Sequence, residues 1–198
     1  LIEKRLEEIY NKPTIIFDLA NKEIVFEKMI PLVKQAKIMS DRFEVVCTNP
    51  PYMGYKGMAT KLSNYLKKNY PNSKSDLFSV FMESGYSYIK EYGFLSMINQ
   101  QSWMFLSTYE NLRKDLINKS IIISMLHLGA RTFEEISGEV VQSTTFISRN
   151  INLRNYISIY FRLIDFNTSI LKQIKTLDAI NNVNNDYIYK NSTLRYHN

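Results

Sequence analysis

The sequence has little of what metal and thiol chemistry require. Cys47 is its one cysteine, and His127 and His197 are its two histidines. It therefore has neither an intrachain disulfide nor the ligands of a standard zinc site. No apolar run approaches the roughly 20 residues that cross a bilayer, and no signal segment opens the chain. These absences predict no metal, no membrane partner and a cytoplasmic location.

The charge of the chain favours a polyanionic partner. The formal net charge is +6, and the residues after 148 include seven Lys or Arg against three Asp and no Glu. Such a balance attracts nucleic acid by long-range electrostatics. A solvated basic surface explains the same counts, so both interpretations stay open at this point.

The order of predicted elements indicates an α/β fold. Strand, helix, strand, helix, strand is the rhythm of a parallel, doubly wound sheet. Two further strands without a helix between them favour an antiparallel edge. The predicted helices are 2–11, 21–38, 60–68, 76–90 and 107–118, and the predicted strands are 43–48, 94–98, 121–128, 144–148 and 156–164.

Local signals add finer expectations to these elements. Pro31 should kink or split the helix over 21–38 because it lacks an N–H. Asp76 or Ser75 is expected to cap the next long helix, and Ser107 with Glu110 has the spacing of a capping box. Cys47, within the first strand, is expected to be buried rather than to act as a nucleophile.

Asn49, Pro50, Pro51 and Tyr52 form the motif that carries chemistry. Two prolines cannot continue a ladder, so the strand ends there, at the carboxyl end where open α/β sheets bind ligands. The Asn49 side-chain oxygen and the Pro50 carbonyl can each accept a hydrogen bond from an adenine amino group. The prolines hold that carbonyl in place, and Tyr52 can lie on one face of the base. The alternative is a rigid strand-end turn without chemistry.

Three stretches together resemble the amino-methylating adenine DNA methyltransferases. The resemblance covers roughly residues 40–165 and is closest to the large methyltransferase of bacterial BREX phage-defence systems and related single-chain restriction-modification enzymes. The stretches are FEVVCTNPPY from Phe43, SDLFSVFMESGYSYIKEYGFLSMI from Ser75 and LHLGARTFEEISGEVVQSTTFISRN from Leu126.

This resemblance implies the C-terminal half of a Rossmann-like sheet that uses S-adenosylmethionine to methylate the N6 amino group of a flipped adenine in double-stranded DNA. Asn49, Pro50 and Tyr52 would hold the adenine, and Phe133 would stack on its other face. Pro51 and Phe81 would contact the adenine moiety of the methyl donor. Phe81 could instead belong to the core, on the inward side of its helix. Phe133 could instead anchor its loop.

The sequence departs from the family in lacking the upstream glycine-rich loop and the acidic residue that bind the cofactor, since its six glycines include no Gly-x-Gly. We therefore expect a partial catalytic domain over 43–165, a helical lead-in over 1–42, and a helix with an Asn-rich tether over 166–198. Such a piece would depend on missing upstream and downstream parts of its polypeptide, would be inactive alone, and could self-associate.

Two other functions stay open. Glutamine methyltransferases acting on release factors and some RNA guanine methyltransferases are similar at Asn49–Tyr52, although the basic surface and Phe133 favour DNA. A non-catalytic DNA-binding or assembly module with the same fold is the other alternative.

Overall fold

The computed structural model describes residues 4, 5, 8, 11, 25–133, 141–153, 155–181 and 188–191. It divides into two compact units, residues 1–42 and 43–198. In the first unit, a π-helical turn over Val25–Met29 leads into helix α1, Ile30–Ser40. Pro31 lies at the start of α1, where its missing N–H costs least. The helix changes from π to α just before Pro31 without leaving helical backbone at Met29, so the predicted kink or split stays a prediction. Most of the predicted helix over 2–11 lies outside the described residues.

The second unit is built on a sheet whose six described strands have the order β1-β2-β4-β3-β5-β6. Strands β1, β2, β3 and β5 run in one direction, and β4 and β6 run in the opposite direction. The predicted α/β class is confirmed. The strands are β1 Phe43–Thr48, β2 Ile89–Gln100, β3 Ile121–Gly129, β4 Ser143–Arg149, β5 Ser158–Arg162 and β6 Ile188–Asn191.

Two strands lie elsewhere than predicted. Strand β4 is not at an edge but between β2 and β3, antiparallel to both. Strand β5 runs opposite to β4, as does β3. Because β5 pairs with β3, the two form a parallel pair and not the predicted antiparallel edge. The antiparallel strand at that edge of the described sheet is β6.

Helices follow β1, β2 and β5 along the chain. They are α2 Thr60–Asn69, α3 Leu77–Gly85, α4 Glu110–Lys119 and, after β5, α5 Ser169–Asn181. Helix α3 ends five residues earlier than predicted, and the chain is already in β2 at Ile89. Its last residue passes very close to that strand, since a Cβ on Gly85 would lie 2.9 Å from Leu95 Cδ1. A side chain at position 85 would therefore force the Leu95 side chain to shift.

The two predicted caps have different outcomes. Asp76 precedes α3 and its Oδ1 accepts from the Phe78 N–H at 3.3 Å, which confirms the N-cap. The capping box does not form, because Ser107 begins a 3₁₀ turn and neither that turn nor α4 has a side-chain cap. Glu110 instead accepts from Lys114 one turn along the helix, at 2.6 Å.

The core lies between α3, α4 and the sheet. Its largest member is Trp103, whose ring meets Phe146 edge-on at 5.7 Å and whose Nε1–H donates to the buried Asn99 Oδ1 at 3.1 Å. The buried Arg113 on α4 donates to the Trp103 and Leu106 carbonyls, at 2.9 and 2.7 Å. These bonds satisfy polar groups that would otherwise be costly to bury.

Strand β1 is the outermost strand on its side of the described sheet. The expectation that Cys47 is buried is therefore wrong, because no described strand covers the far edge of β1 and the thiol is exposed. Val45, on the same strand, is 58% exposed. Among the described residues, no helix is long and apolar enough to cross a membrane.

Candidate active site

The Asn49–Tyr52 motif follows the last residue of β1, at the end of the sheet to which the parallel strands point their carboxyl termini. Asn49 and Pro51 are exposed, Pro50 is buried and Tyr52 is half-buried. The Tyr52 hydroxyl donates to Asn49 Oδ1 at 3.4 Å, a long bond. Among the described residues no N–H donates to the Pro50 carbonyl. Both predicted acceptors are therefore weakly engaged.

Tyr52 stands against the core. Its ring meets Phe78 edge-on at 6.3 Å, and Phe78 in turn lies 5.8 Å from the ring of Tyr109. Burial raises the pKa of the Tyr52 phenol above its ordinary value. The phenol therefore stays protonated at neutral pH, and its ring has a fixed support on one side.

Asp76 anchors the loop that follows the motif, a role that sequence reasoning did not find. Besides capping α3, its Oδ1 accepts from the Met53 N–H at 3.0 Å. The Leu77 N–H donates to the Met53 carbonyl at 3.1 Å, and Tyr55 donates to Ser75 at 3.0 Å. Burial raises the pKa of the Asp76 carboxyl, against the lowering effect of the N–H groups that it accepts from. One carboxylate thus joins the motif to a helix 23 residues away in sequence.

Ser143 is a second residue that sequence reasoning missed. It begins β4, paired with Gln100 on one side and Gly129 on the other, and its side chain is completely buried. The Ser143 hydroxyl lowers the pKa of the Tyr52 phenol and so opposes part of the rise that burial causes. The Ser143 and Tyr52 hydroxyls nevertheless do not meet the geometry of a hydrogen bond. Ser143 Oγ has no partner among the described residues. Nothing in the sequence distinguishes this serine from its neighbours.

Phe81 does not belong to the core, so the alternative interpretation, in which it points inward with Phe78, is wrong. It is 40% exposed on α3, whereas Phe78 and Met82 are completely buried. Most other positions of this short helix are buried or half-buried. An exposed aromatic ring on such a helix is available to a ligand, and its predicted contact with the methyl donor stays a prediction.

Phe133 is half-buried at the end of a tightly wound stretch after β3, and residues 134–140 beyond it are not among the described ones. Gly129 and Arg131 both have positive φ, 67° and 57°. The Thr132 hydroxyl donates to the Gly129 carbonyl at 3.0 Å. The buried Lys172 of α5 donates to the Ala130 carbonyl. No ring contact joins Phe133 to Tyr52 among the described residues, so the predicted base sandwich stays a prediction.

His127 lies near the same end of β3, in a cluster of polar side chains. Its Nε2 lies 2.5 Å from Gln101 Oε1, and Gln101 Nε2 donates to Gln142 Oε1. The ring of Phe105 is 5.6 Å from the imidazole. Burial lowers the pKa of His127, and the positive charges of Arg162 and Lys172 lower it further. A neutral imidazole that donates to Gln101 fits this environment. No group of His, Cys, Asp or Glu that could hold a metal occurs in the part of the chain that the structure describes.

Comparison with known proteins identifies the family. The model of the Eco57I restriction-modification methylase family matches residues 2–133. The adenine-specific methyltransferase BrxX of Escherichia coli O9:H4 strain HS is 47% identical over 162 residues, which are 82% of this chain and 13% of that protein. The chain thus spans about an eighth of the length of this curated relative.

Solved structures agree on the fold. A modification subunit of a putative type I restriction enzyme from Vibrio vulnificus YJ016 superposes with a TM-score of 0.60 at 13% identity, over 77% of this chain and 34% of that one. A putative class I S-adenosylmethionine-dependent methyltransferase from Listeria monocytogenes gives 0.51 at 16% identity, over 72% and 43%. The fold is that of the S-adenosylmethionine-dependent methyltransferases, and the chain belongs to the Eco57I restriction-modification methylase family.

Proposed function

We propose that the chain is part of the catalytic domain of a DNA methyltransferase that transfers a methyl group from S-adenosylmethionine to the N6 amino group of adenine. The observation that carries this proposal is the Asn49–Tyr52 motif at the carboxyl end of β1, with its two acceptors weakly engaged. Membership of a restriction-modification methylase family supports it, and so does similarity to an adenine-specific methyltransferase. A role in restriction-modification or phage defence follows from the same relatives.

The chemistry follows from the nature of the acceptor. The lone pair of an adenine amino group is delocalised into the ring, so a catalyst must localise it and direct it at the methyl carbon. Asn49 Oδ1 and the Pro50 carbonyl would each accept a hydrogen bond from one amino N–H, which favours a tetrahedral nitrogen. The amino group would replace the long contact from Tyr52 to Asn49, and the Tyr52 ring would lie against the base. Because this is positioning and electrostatics, the site needs no strongly acidic or basic side chain.

The methyl donor would bind at the same end of the sheet as the target base, where the parallel strands have their carboxyl termini. When bound, S-adenosylmethionine supplies the methyl group. Pro51 and Phe81 are both exposed and apolar, which suits contact with the adenine moiety of that cofactor. The glycine-rich loop that holds its methionine end in the family does not occur in this sequence. We assign that part of the cofactor site to other residues of the whole protein.

Phe133 would supply the second face for the target base. An adenine inside a duplex cannot reach Asn49, so it must leave the stack and enter a pocket lined by aromatic rings. The stretch from Gly129 to Phe133 ends at the side of the sheet where the parallel strands terminate. The same proposal implies double-stranded DNA and the rest of the polypeptide as partners, and a cytoplasmic location.

Methyl transfer by the whole protein encoded by the gene tests this function. The protein is incubated with labelled S-adenosylmethionine and, separately, with DNA, release-factor protein and RNA. We expect label on adenine N6 in DNA. Asn49→Ala should lower the rate by roughly 100- to 1,000-fold, the usual cost of a lost polar contact to the reacting group. Asn118→Ala, an exposed asparagine at the end of α4, is the matched control and should leave the rate unchanged.

Phe133 variants test the base-stacking role. Phe133→Ala should reduce transfer to DNA, and Phe133→Trp should restore most of it because any large aromatic face can stack. Transfer to protein or RNA alone would overturn the assignment of DNA. If the protein binds both S-adenosylmethionine and DNA but transfers no methyl group, it is a non-catalytic module.

A further inference from the structure

A long stretch beside the motif contains no acidic residue. Between Glu44 and Asp76 the sequence has five lysines and neither Asp nor Glu. The lysines all follow the motif, in residues 53–75, here called the lysine segment. They are Lys56, Lys61, Lys67, Lys68 and Lys74.

These five lysines are exposed, and none forms an ion pair or hydrogen bond with another described residue. The basic C-terminal region differs. There Arg162 pairs with Asp165, Lys175 lies 3.9 Å from Asp178, and Lys172 is 4% exposed. These three C-terminal cations are therefore paired or buried, whereas the five of the lysine segment are exposed and available to a partner.

Helix α2 arranges part of this charge on one face. Leu66 is buried and Leu62 half-buried, which fixes the inward side of the helix. Lys61, Tyr65 and Lys68 stand at positions i, i+4 and i+7, which lie on one face of an α-helix. All three are exposed, Tyr65 by 55%. The outward face is thus two ammonium groups on either side of a tyrosine ring.

The lysine segment returns to the place where it began. Met53 and Leu77 are hydrogen-bonded to each other at 3.1 Å, and Gly54 forms a β-bridge with Asp76. Both ends therefore meet directly beside Tyr52. Helix α2 lies within this closed loop, and its ten residues are about 15 Å long, the rise of roughly four base pairs of duplex DNA.

We propose that the outward face of α2, with Lys61, Tyr65 and Lys68, binds the phosphate backbone of duplex DNA next to the target adenine. This inference rests on the proposed function, because it takes the occupant of the Asn49–Tyr52 site to be a base in DNA. Lysine ammonium groups bind phosphates as point charges and release counterions when they do so. Phosphate contacts position a duplex without reading its sequence, which is what a face next to a catalytic motif requires.

The test is the salt dependence of DNA binding. The whole protein encoded by the gene is titrated into a fluorescent 30-base-pair duplex of mixed sequence, and Kd is measured by anisotropy from 50 to 300 mM NaCl. Lys61→Gln and Lys68→Gln should each weaken binding by roughly five- to tenfold at 0.1 M salt. Each should also lower the slope of log Kd against log [NaCl] by about 0.9, the value for one phosphate contact.

Lys119→Gln is the control, since it removes the same charge from an exposed lysine. Lys119 ends α4 just before β3 begins, so it lies at the opposite end of the sheet from Tyr52. An equal loss in this variant would overturn the proposal by showing a diffuse effect of net charge. Unchanged slopes for Lys61→Gln and Lys68→Gln would also overturn it. A loss of binding to vesicles containing 30% phosphatidylserine, but not to the duplex, would assign the face to a membrane and likewise contradict it.

Methyl transfer separates this inference from the proposed function. Labelled adenine with unaltered slopes in both variants would leave the function standing and remove the α2 face. Altered slopes without any labelled adenine would support a DNA-binding face on a protein that is not a DNA methyltransferase.

Discussion

The two stretches that the proposed function assigns to the target base are held in place by different means. At Asn49–Tyr52, two prolines restrict the backbone, and Asp76 fixes the adjoining loop through Met53, 23 residues away in sequence. At Gly129–Phe133, two residues with positive φ wind the chain tightly, and Lys172 of α5 holds Ala130 from 42 residues away. The backbone of Asn49–Tyr52 is restrained largely by its own prolines. The backbone of Gly129–Phe133 is restrained by a helix that follows two further strands in the sequence.

This difference shows why the motif at one stretch is visible in the sequence and the support of the other is not. Proline restrains its own segment whatever surrounds it, so its effect can be read from the residue alone. A lysine that stabilises a remote carbonyl is indistinguishable from a surface lysine until the fold brings the two groups together. Variants that act on one stretch and leave the other unchanged can separate the two kinds of support.

The largest effect is expected from Gly129→Ala. A Cβ at this position would lie 2.9 Å from Ile164 Cγ2, and φ is +67°. Strain and overpacking together should lower the free energy of unfolding by roughly 2–4 kcal/mol. Gly57→Ala is the control, because its Cβ would only touch the flexible Met53 side chain at 3.4 Å and should cost less than about 0.5 kcal/mol. Equal midpoints in urea for the two variants would contradict this prediction.

Removal of the anchor of the first stretch should have the next largest effect. Asp76→Ala leaves the Met53 and Phe78 N–H groups without their acceptor and should cost roughly 1–3 kcal/mol. Asp76→Asn keeps an oxygen at the same position. Burial raises the pKa of Asp76, which means that the site disfavours the charged carboxylate. The neutral amide of Asp76→Asn should therefore lower the free energy of unfolding much less than Asp76→Ala does. Urea denaturation measures the free energy of unfolding of both variants. A loss of stability in Asp76→Asn as large as that in Asp76→Ala would show that the charge itself is required.

Lys172→Met should loosen the second stretch with little change in global stability. The variant removes the donor to the Ala130 carbonyl, but it also removes a buried ammonium whose pKa is already lowered by desolvation. The two effects should offset each other to within about 1 kcal/mol. Hydrogen exchange at residues 130–133 should become faster. Lys175→Met, on the same helix with an exposed pair to Asp178, should leave those amides unchanged. Equal exchange in the two variants would rule out the Lys172 contact as a restraint.

The smallest effect is a pH dependence from His127. Its pKa is lowered in the folded state from the ordinary 6.5, chiefly by burial. The unfolded chain then binds more protons as the pH falls, so this group contributes stability above pH 6.5 that is lost on acidification through the folded pKa. The loss must stay below the about 1.4 kcal/mol per pH unit of a full proton difference. Thermal unfolding at pH 7.5 and 5.5 should show a greater loss for the wild type than for His127→Gln, and identical losses would contradict it.

Much of the fold could be predicted because the pattern of apolar residues and breakers is local. The strands over 43–48 and 121–128 were predicted to within a residue of β1 and β3, and Asp76 was identified as a cap. The end of α3 and the position of β4 could not be predicted. One depends on how closely Gly85 approaches β2, and the other on which pair of strands the returning chain enters.

The sequence by itself determined the motif, its position at the end of a strand, the α/β class and the family to which the chain belongs. These depend on residue types whose effects are local: prolines that end a ladder, an amide that accepts hydrogen bonds, and alternating strand and helix patterns. Only the tertiary structure decided that Cys47 and Phe81 are exposed and that Asp76 and Lys172 anchor the two stretches. It also decided that Arg162 is paired with Asp165 while Lys61 and Lys68 of α2 are exposed. Exposure and pairing depend on which distant residues become neighbours, and no single stretch of sequence contains that information.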